Sequence, residues 1–263
     1  MKRMCRVSGL FLCFFMMLMV NASASGGEID VSTAPDGYFS VCCESGSAVK
    51  MKVGVTFAGK TEYFNYSPGK EVSYAFERGE GIYVVSLFRN VSGTSYRCIA
   101  KETVAVKLKD AMAPYLASTG EITFCEGGAV SKKAAELCEG LTNDDEKIVA
   151  IYNFIGKSFR YNDAFAESVR RGKVKNYVPD TEQILSGKRG VCQDFSALFA
   201  AMCRSQGIPC RVEKGDTADG YHAWNLIWRD EEWVAVDLTV AVVQRDHQAK
   251  KFSDCVADIV KKT

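Results

Sequence analysis

The sequence predicts an α+β protein in which an antiparallel β-sandwich precedes a segment of helices packed on a second antiparallel sheet. Three observations carry this. From about Glu28 to Leu108 the chain reads as short β-rich runs broken by turn signals. From Ser131 the apolar residues recur at helical steps. Beyond Pro209 the period returns to two.

Residues 1–24 stand outside that plan. Lys2, Arg3 and Arg6 precede an apolar run from Val7 to Val20, and Ala22-Ser23-Ala24 offers a small-residue cleavage site. This is the pattern of a secretory signal peptide, too short for a comfortable membrane span. The expected location is therefore secreted or at the cell surface, with cleavage after Ala24 and no stable span in the mature chain. Without those three basic residues the balance is 30 basic against 32 acidic, a net charge of −2. That balance gives no basic footprint for nucleic acid. Nine of the eleven cysteines follow the leader. With Cys192 free, the other eight could form up to four disulfides, in any of 105 connectivities, or stay reduced.

The expected domains are the leader (1–24), the sandwich (25–110), a linker (111–128) and a catalytic domain (129–263). In the sandwich, IDVST, YFSVCCE, VKMKVGVTF, TEYFNYS, EVSYAF, GIYVVSLF and SYRCIAKETVAVKL supply seven strands at sandwich spacing. Cys43 and Cys98 lie 55 residues apart with Tyr96 two before the second, as in immunoglobulin-like domains, though no tryptophan lies between them. The region offers no catalytic constellation and reads as a spacer or adhesive module.

After the linker, Ser131–Glu139 reads as a short helix. A second helix begins at Asn143, with Glu146 completing a capping box, and carries the stripe Ile148, Ile151, Tyr152, Ile155. Asn162–Asp180, with Arg170, Arg171, Lys173 and Lys175, reads as a solvated loop close enough to border a groove. Thr181–Ser186 reads as a helical turn. Then comes KRGVCQDFSALFAAMCRSQ, whose Phe195, Leu198, Phe199, Met202 and Cys203 form a buried helical stripe stopped by Gly207 and Pro209. Cys192 falls at the start of that helix, where unpaired N–H groups and the helix dipole favour a thiolate and could hold an oxyanion.

A strand starts at Arg211-Val212-Glu213. Tyr221–Trp228 and Trp233–Thr239 then form two strands, and Val240–Thr263 is expected to hold a final strand and a short helix. A cysteine nucleophile needs a base held by a third group. His247 lies in the charged run RDHQAKK, which leaves His222. A hairpin closing on Asp230-Glu231 sets Trp228 opposite Trp233, Trp224 opposite Asp237 and His222 opposite Thr239. His222 and Asp237 then share a face as diagonal neighbours, roughly 7–8 Å apart at Cα. An aspartate inside WVAVDL also needs a partner if it is buried.

GVCQDFSALFAAMCRSQGIPCRV, YHAWNLI and WVAVDLT together resemble the core of the transglutaminase-like superfamily, whose members are related to papain-type proteases. The resemblance covers roughly Asp144–Thr239. It implies a papain-like Cys-His-Asp core formed by Cys192, His222 and Asp237, acting as an acyltransferase or a hydrolase through a thioester on a protein or peptide substrate at a cell surface or wall. A surface binding protein on the same scaffold is the alternative. A sandwich ahead of such a core also resembles exported bacterial members. Leu238 departs from the proline that many members carry there. Tyr177 and Gln183 are the candidates for the polar residue that assists the oxyanion, and Trp224 for a groove wall. No cofactor or metal is implied.

Overall fold

The computed structural model describes residues 27–44, 49–174, 176–218, 220–244 and 251–257. The leader-like segment and His247 lie outside them. The described chain has two hydrophobic cores, one inside the sandwich and one beneath the helices.

The sandwich is built from seven antiparallel strands. One sheet pairs β1 (Glu28–Asp30), β2 (Tyr38–Cys42) and β5 (Val72–Ala75). The other runs β4-β3-β6-β7, with β3 at Met51–Phe57, β4 at Lys60–Tyr66, β6 at Gly81–Ser92 and β7 at Ser95–Val106. Alternation puts Met51, Val53 and Val55 of β3 and Tyr83, Val85 and Leu87 of β6 into the core against Phe39 and Val41 of β2. Cys43 is buried while Cys98 is exposed on β7, so the pair does not bridge the sheets. All nine cysteines from Cys42 onward are unbridged, the reduced one of the two alternatives that their number left open.

Residues 109–128 cross to the second core without being a loose tether. Tyr115 packs edge-on against Trp233 at 4.6 Å, and the Ala117 carbonyl accepts a hydrogen bond from Arg204 at 2.7 Å. Helix α1 (Ala129–Leu137) and α2 (Asp144–Ser158) follow. Asn143 caps α2 through the Asp145 N–H at 2.7 Å, so the cap is a short local turn and Glu146 does not close it. The α2 stripe is the expected one: Ile148, Ile151, Tyr152 and Ile155 are buried.

The segment expected to be a solvated loop contains a helix, α3 (Asp163–Arg170), capped by Asn162 and lacking any buried residue. Its apolar face is too short to bury, and Arg170 and Arg171 both pair with Glu167 on the helix. The two-residue strands β8 (Arg160–Tyr161) and β9 (Arg189–Gly190) pair in parallel on either side of α4 (Thr181–Gly187). Helix α5 (Cys192–Ser205) then runs through the core, with every residue from Asp194 to Arg204 buried.

A three-stranded antiparallel meander covers α5: β10 (Cys210–Thr217), β11 (Gly220–Arg229) and β12 (Glu232–Val236). The β11–β12 register follows the sequence reading, with Trp228 opposite Trp233. Asp230 and Glu231 both take positive φ, 49° and 64°, as a two-residue turn matched to strand twist requires. The ladder stops at Asn225 opposite Val236. Leu238 and Thr239, expected in the strand, instead begin α6 (Leu238–Gln244), and beyond it the described residues 251–257 hold a short 3-10 turn (Phe252–Cys255) and a bridge from Val256 to Val236. Asp237 causes the change of course, because its Oδ1 accepts the Thr239 N–H at 2.8 Å and caps the new helix.

Candidate active site

Three elements deliver the site. Val191, in extended conformation, turns the chain from β9 into α5, which places Cys192 first in the helix. Asp194 and Phe195 already donate their N–H groups to the Val191 carbonyl. The Cys192 and Gln193 amides are therefore the ones left unengaged among the described residues. Beside the thiol, then, stand two outward N–H donors and the positive end of a fourteen-residue helix.

His222 comes from β11 and Asp237 from the end of β12. The expected diagonal contact forms: His222 Nε2 lies 2.8 Å from Asp237 Oδ2. Asp237 is 6% exposed. Its two oxygens are divided, Oδ1 to the Thr239 N–H and Oδ2 to the imidazole. With Nε2 committed to the carboxylate, Nδ1 is the nitrogen left for the thiol, and Cys192 lies close enough to help raise the pKa of the ring. The Asp237 bond, then the nearby Cys192, raise the His222 pKa from 6.5 to about 10 against the opposing effect of burial.

That shift fixes a pH dependence. A histidine whose folded pKa lies above its unfolded value stabilises the fold fully below the unfolded value, near pH 6.5. The contribution declines as pH rises and is lost through about pH 10. The Tm difference between the wild type and His222→Gln is therefore expected to be constant below about pH 6.5 and to vanish above about pH 10. Calorimetric scans across pH 6–11 check it.

The other sequence candidates divide. Trp224 is 1% exposed, so it does not wall a groove. It lies with its ring nearly parallel to the His222 ring at 6.3 Å between centroids, because residues two apart on a strand share a face. Gln183 stands exposed on α4, and its hydrogen bonds to Asp180 and Ser186 run from its backbone; none joins its amide to Cys192. Tyr177 reaches the cysteine helix, donating from its hydroxyl to Asp194 Oδ1 at 2.6 Å.

The sequence reading missed Asp194, two residues after the cysteine and 2% exposed. Its signal was an acid at the third position of a helix, the place of a capping-box partner. Two tyrosines were missed as well. Tyr161 and the exposed Tyr221 both lie close enough to sense the charge of Cys192, one toward Arg170 and Asp163, the other toward Glu121 and Asp216. A separate cavity of about 540 Å³ opens between the sandwich and β10, lined by Glu62, Arg78, Tyr74, Glu121 and Lys214 among others. It holds none of the three residues above.

The structure thus sets a thiol at a helix start beside an imidazole and a carboxylate from the sheet that covers that helix. The particular family follows from the comparison: residues 131–238 match the model of the transglutaminase-like superfamily, so the chain carries a domain of that superfamily. Kyphoscoliosis peptidase of Mus musculus is 26% identical over 149 residues, 52% of this chain and 22% of that protein. The Homo sapiens protein of the same name is 27% identical over 131 residues, 45% of this chain and 19% of that protein. The chain thus spans about a fifth of the length of these relatives. A Cytophaga hutchinsonii protein with the provisional designation of cysteine protease shares 19% identity at a TM-score of 0.42, over 85% of this chain and 83% of its own. The periplasmic domain of TgpA from Pseudomonas aeruginosa shares 14% at 0.36, over 88% and 99%.

Proposed function

We propose that the protein is a cysteine-dependent acyl-transfer enzyme with Cys192 as nucleophile, His222 as general acid and base, and Asp237 as the group that orients and charges the ring. One observation carries this reading: the His222 ring is bonded at 2.8 Å to the buried Asp237 carboxylate, with Cys192 near enough to act on the same ring. The superfamily match over residues 131–238 supports it.

The chemistry follows from the geometry. His222 takes the thiol proton, and the sulfur attacks the carbonyl carbon of a carboxamide or peptide bond. The oxyanion that forms meets the N–H groups at the start of α5. The C–N bond then breaks, the nitrogen leaves with the proton from His222, and a thioester remains on Cys192. Water or a primary amine, deprotonated by His222, attacks the thioester, releasing a free acid or a new amide and restoring the thiol. Asp237 stabilises the imidazolium through both halves of the cycle.

The expected substrate is a protein or peptide outside the cytoplasm. Export rests on the leader pattern in residues 1–24, and no helix among the described residues is long and apolar enough to cross a membrane. The peptidase name of the mammalian relatives favours water as the acceptor. The test is incubation with glutamine-bearing peptides and a labelled primary amine, read by mass spectrometry. Label incorporation identifies a transferase, and free acid alone a hydrolase. Neither product should form with Cys192→Ala. A product that survives in Cys192→Ala would overturn the proposal.

A further inference from the structure

The sandwich has no part in the chemistry just described, yet one series of contacts joins it to the first turn of α5. Asn65, on β4, donates from Nδ2 to the Tyr177 carbonyl at 3.0 Å. The Tyr177 hydroxyl donates to Asp194 Oδ1 at 2.6 Å, and Asp194 Oδ2 accepts the Val191 N–H at 2.9 Å. Val191 and Asp194 bracket Cys192, so the carboxylate closes the turn on which the thiol sits. Gly190 confirms how tightly that turn is closed. A Cβ there would stand 2.7 Å from both Asp194 Cβ and Oδ2, so the chain can pass only as glycine. On its other side the Tyr177 ring meets Phe165 of α3 edge-on at 4.9 Å. Tyr177 is therefore fixed from three directions.

We propose that Asn65, Tyr177 and Asp194 are positioning residues, a relay through which the sandwich sets the first turn of α5 and with it the aim of the Cys192 sulfur at His222. The relay rests on the reading of Cys192 as nucleophile. It assigns the sandwich a part in the site in place of the spacer role that its sequence suggests.

The charge balance around Asp194 gives the relay a signature. Burial pushes the Asp194 carboxyl up, while the Tyr177 hydroxyl and the Val191 N–H hold it down. Facing it are Tyr177, with Asp180 behind, from the connecting segment; Tyr161 from β8; and Cys192 on its own helix. Removing the phenol hydroxyl takes away one of the two donors that keep the carboxylate charged. Asp194 would then take up its proton at higher pH, and the turn would loosen there.

The experiment is the second-order rate of Cys192 alkylation by iodoacetamide against pH, localised by mass spectrometry, in the intact chain and three variants. His222→Ala reports on the nucleophile reading. Tyr177→Phe keeps the ring on Phe165 and removes only the hydroxyl. Asn65→Ala lies in the sandwich and touches neither Cys192 nor His222. The relay predicts that Tyr177→Phe lowers the rate at pH 7 by about tenfold and moves the acid limb of the profile to higher pH. It predicts a drop of about threefold for Asn65→Ala, one hydrogen bond further away. Melting curves confirm that each variant is folded; should Tyr177→Phe be unfolded, Asn65→Ala decides alone. If both variants keep the wild-type rate and profile while His222→Ala is slow, the relay is overturned and the nucleophile reading stands. If His222→Ala is also unchanged, both fall.

Discussion

Alanine at Cys192 is expected to abolish product formation, and alanine at His222 to reduce it by about 10³–10⁴-fold, since members of such a series act as a unit. Asn at Asp237 should cost nearly as much, although it is isosteric. The amide would keep a hydrogen-bond partner for Nε2 but could not stabilise the imidazolium, and it could present the wrong tautomer to the thiol. The Asp237 bond is the largest cause of the raised His222 pKa, so the substitution should also lower the pH at which the ring loses its proton. Measured as rates of acid or amide formation across pH, Cys192→Ala and Asp237→Asn should differ in kind: the first has no profile, the second a weak and displaced one.

The second large effect concerns stability. Arg204, in the last turn of α5, is a fully buried guanidinium that holds three acceptors on three segments. It donates to the Cys210 carbonyl at 2.7 Å, the Ala117 carbonyl at 2.7 Å and Glu77 Oε1 at 2.6 Å. Glu77 lies in the sandwich connection between β5 and β6 and pairs again through its carbonyl with Arg211. Its carboxyl is already pushed up by burial, with Arg204 the main force holding it down. Arg204→Ala leaves a partly buried carboxylate and two carbonyls, one of them buried, without their donor. The expected loss is about 3–5 kcal/mol of unfolding free energy, the range for breaking a buried ion pair from one side. Glu77→Gln should cost clearly less, because an amide can still accept from the guanidinium without a charge to strand. Urea unfolding of both variants distinguishes the two, and equal losses would show that the charge of Glu77, not its capacity to accept a hydrogen bond, carries the whole contribution.

How much of this was readable before folding depends on the range of the contacts. The α5 stripe was plain because helical periodicity is local, and Cys192 followed from it. The β11–β12 register was plain because two tryptophans flank a two-residue turn that fixes pairing. The proximity of His222 and Asp237 followed from parity, even though Asp237 proves to cap a helix and not to lie within a strand. A single aspartate can end a strand and start α6 at once, and only the main-chain geometry distinguishes that from a longer strand. α3 was hidden because it buries nothing, so its sequence has the polarity of a loop. Trp224 was read as a groove wall because strand alternation shows that it shares a face with His222 but not how deep that face lies. Asp194, Tyr177 and Asn65 were beyond reach together. Their link spans 112 residues from Asn65 to Tyr177, and no local pattern encodes a contact of that range.

Competitive alkylation tests most directly whether the His222 imidazole activates the Cys192 sulfur. With limiting iodoacetamide at neutral pH and no reductant, the half-buried Cys192 is expected to be modified before the exposed Cys98 and Cys125, and to lose that lead in His222→Ala. Accessibility alone predicts the reverse order. Labelling of Cys98 and Cys125 first, with a Cys192 rate indifferent to residue 222, would contradict the account.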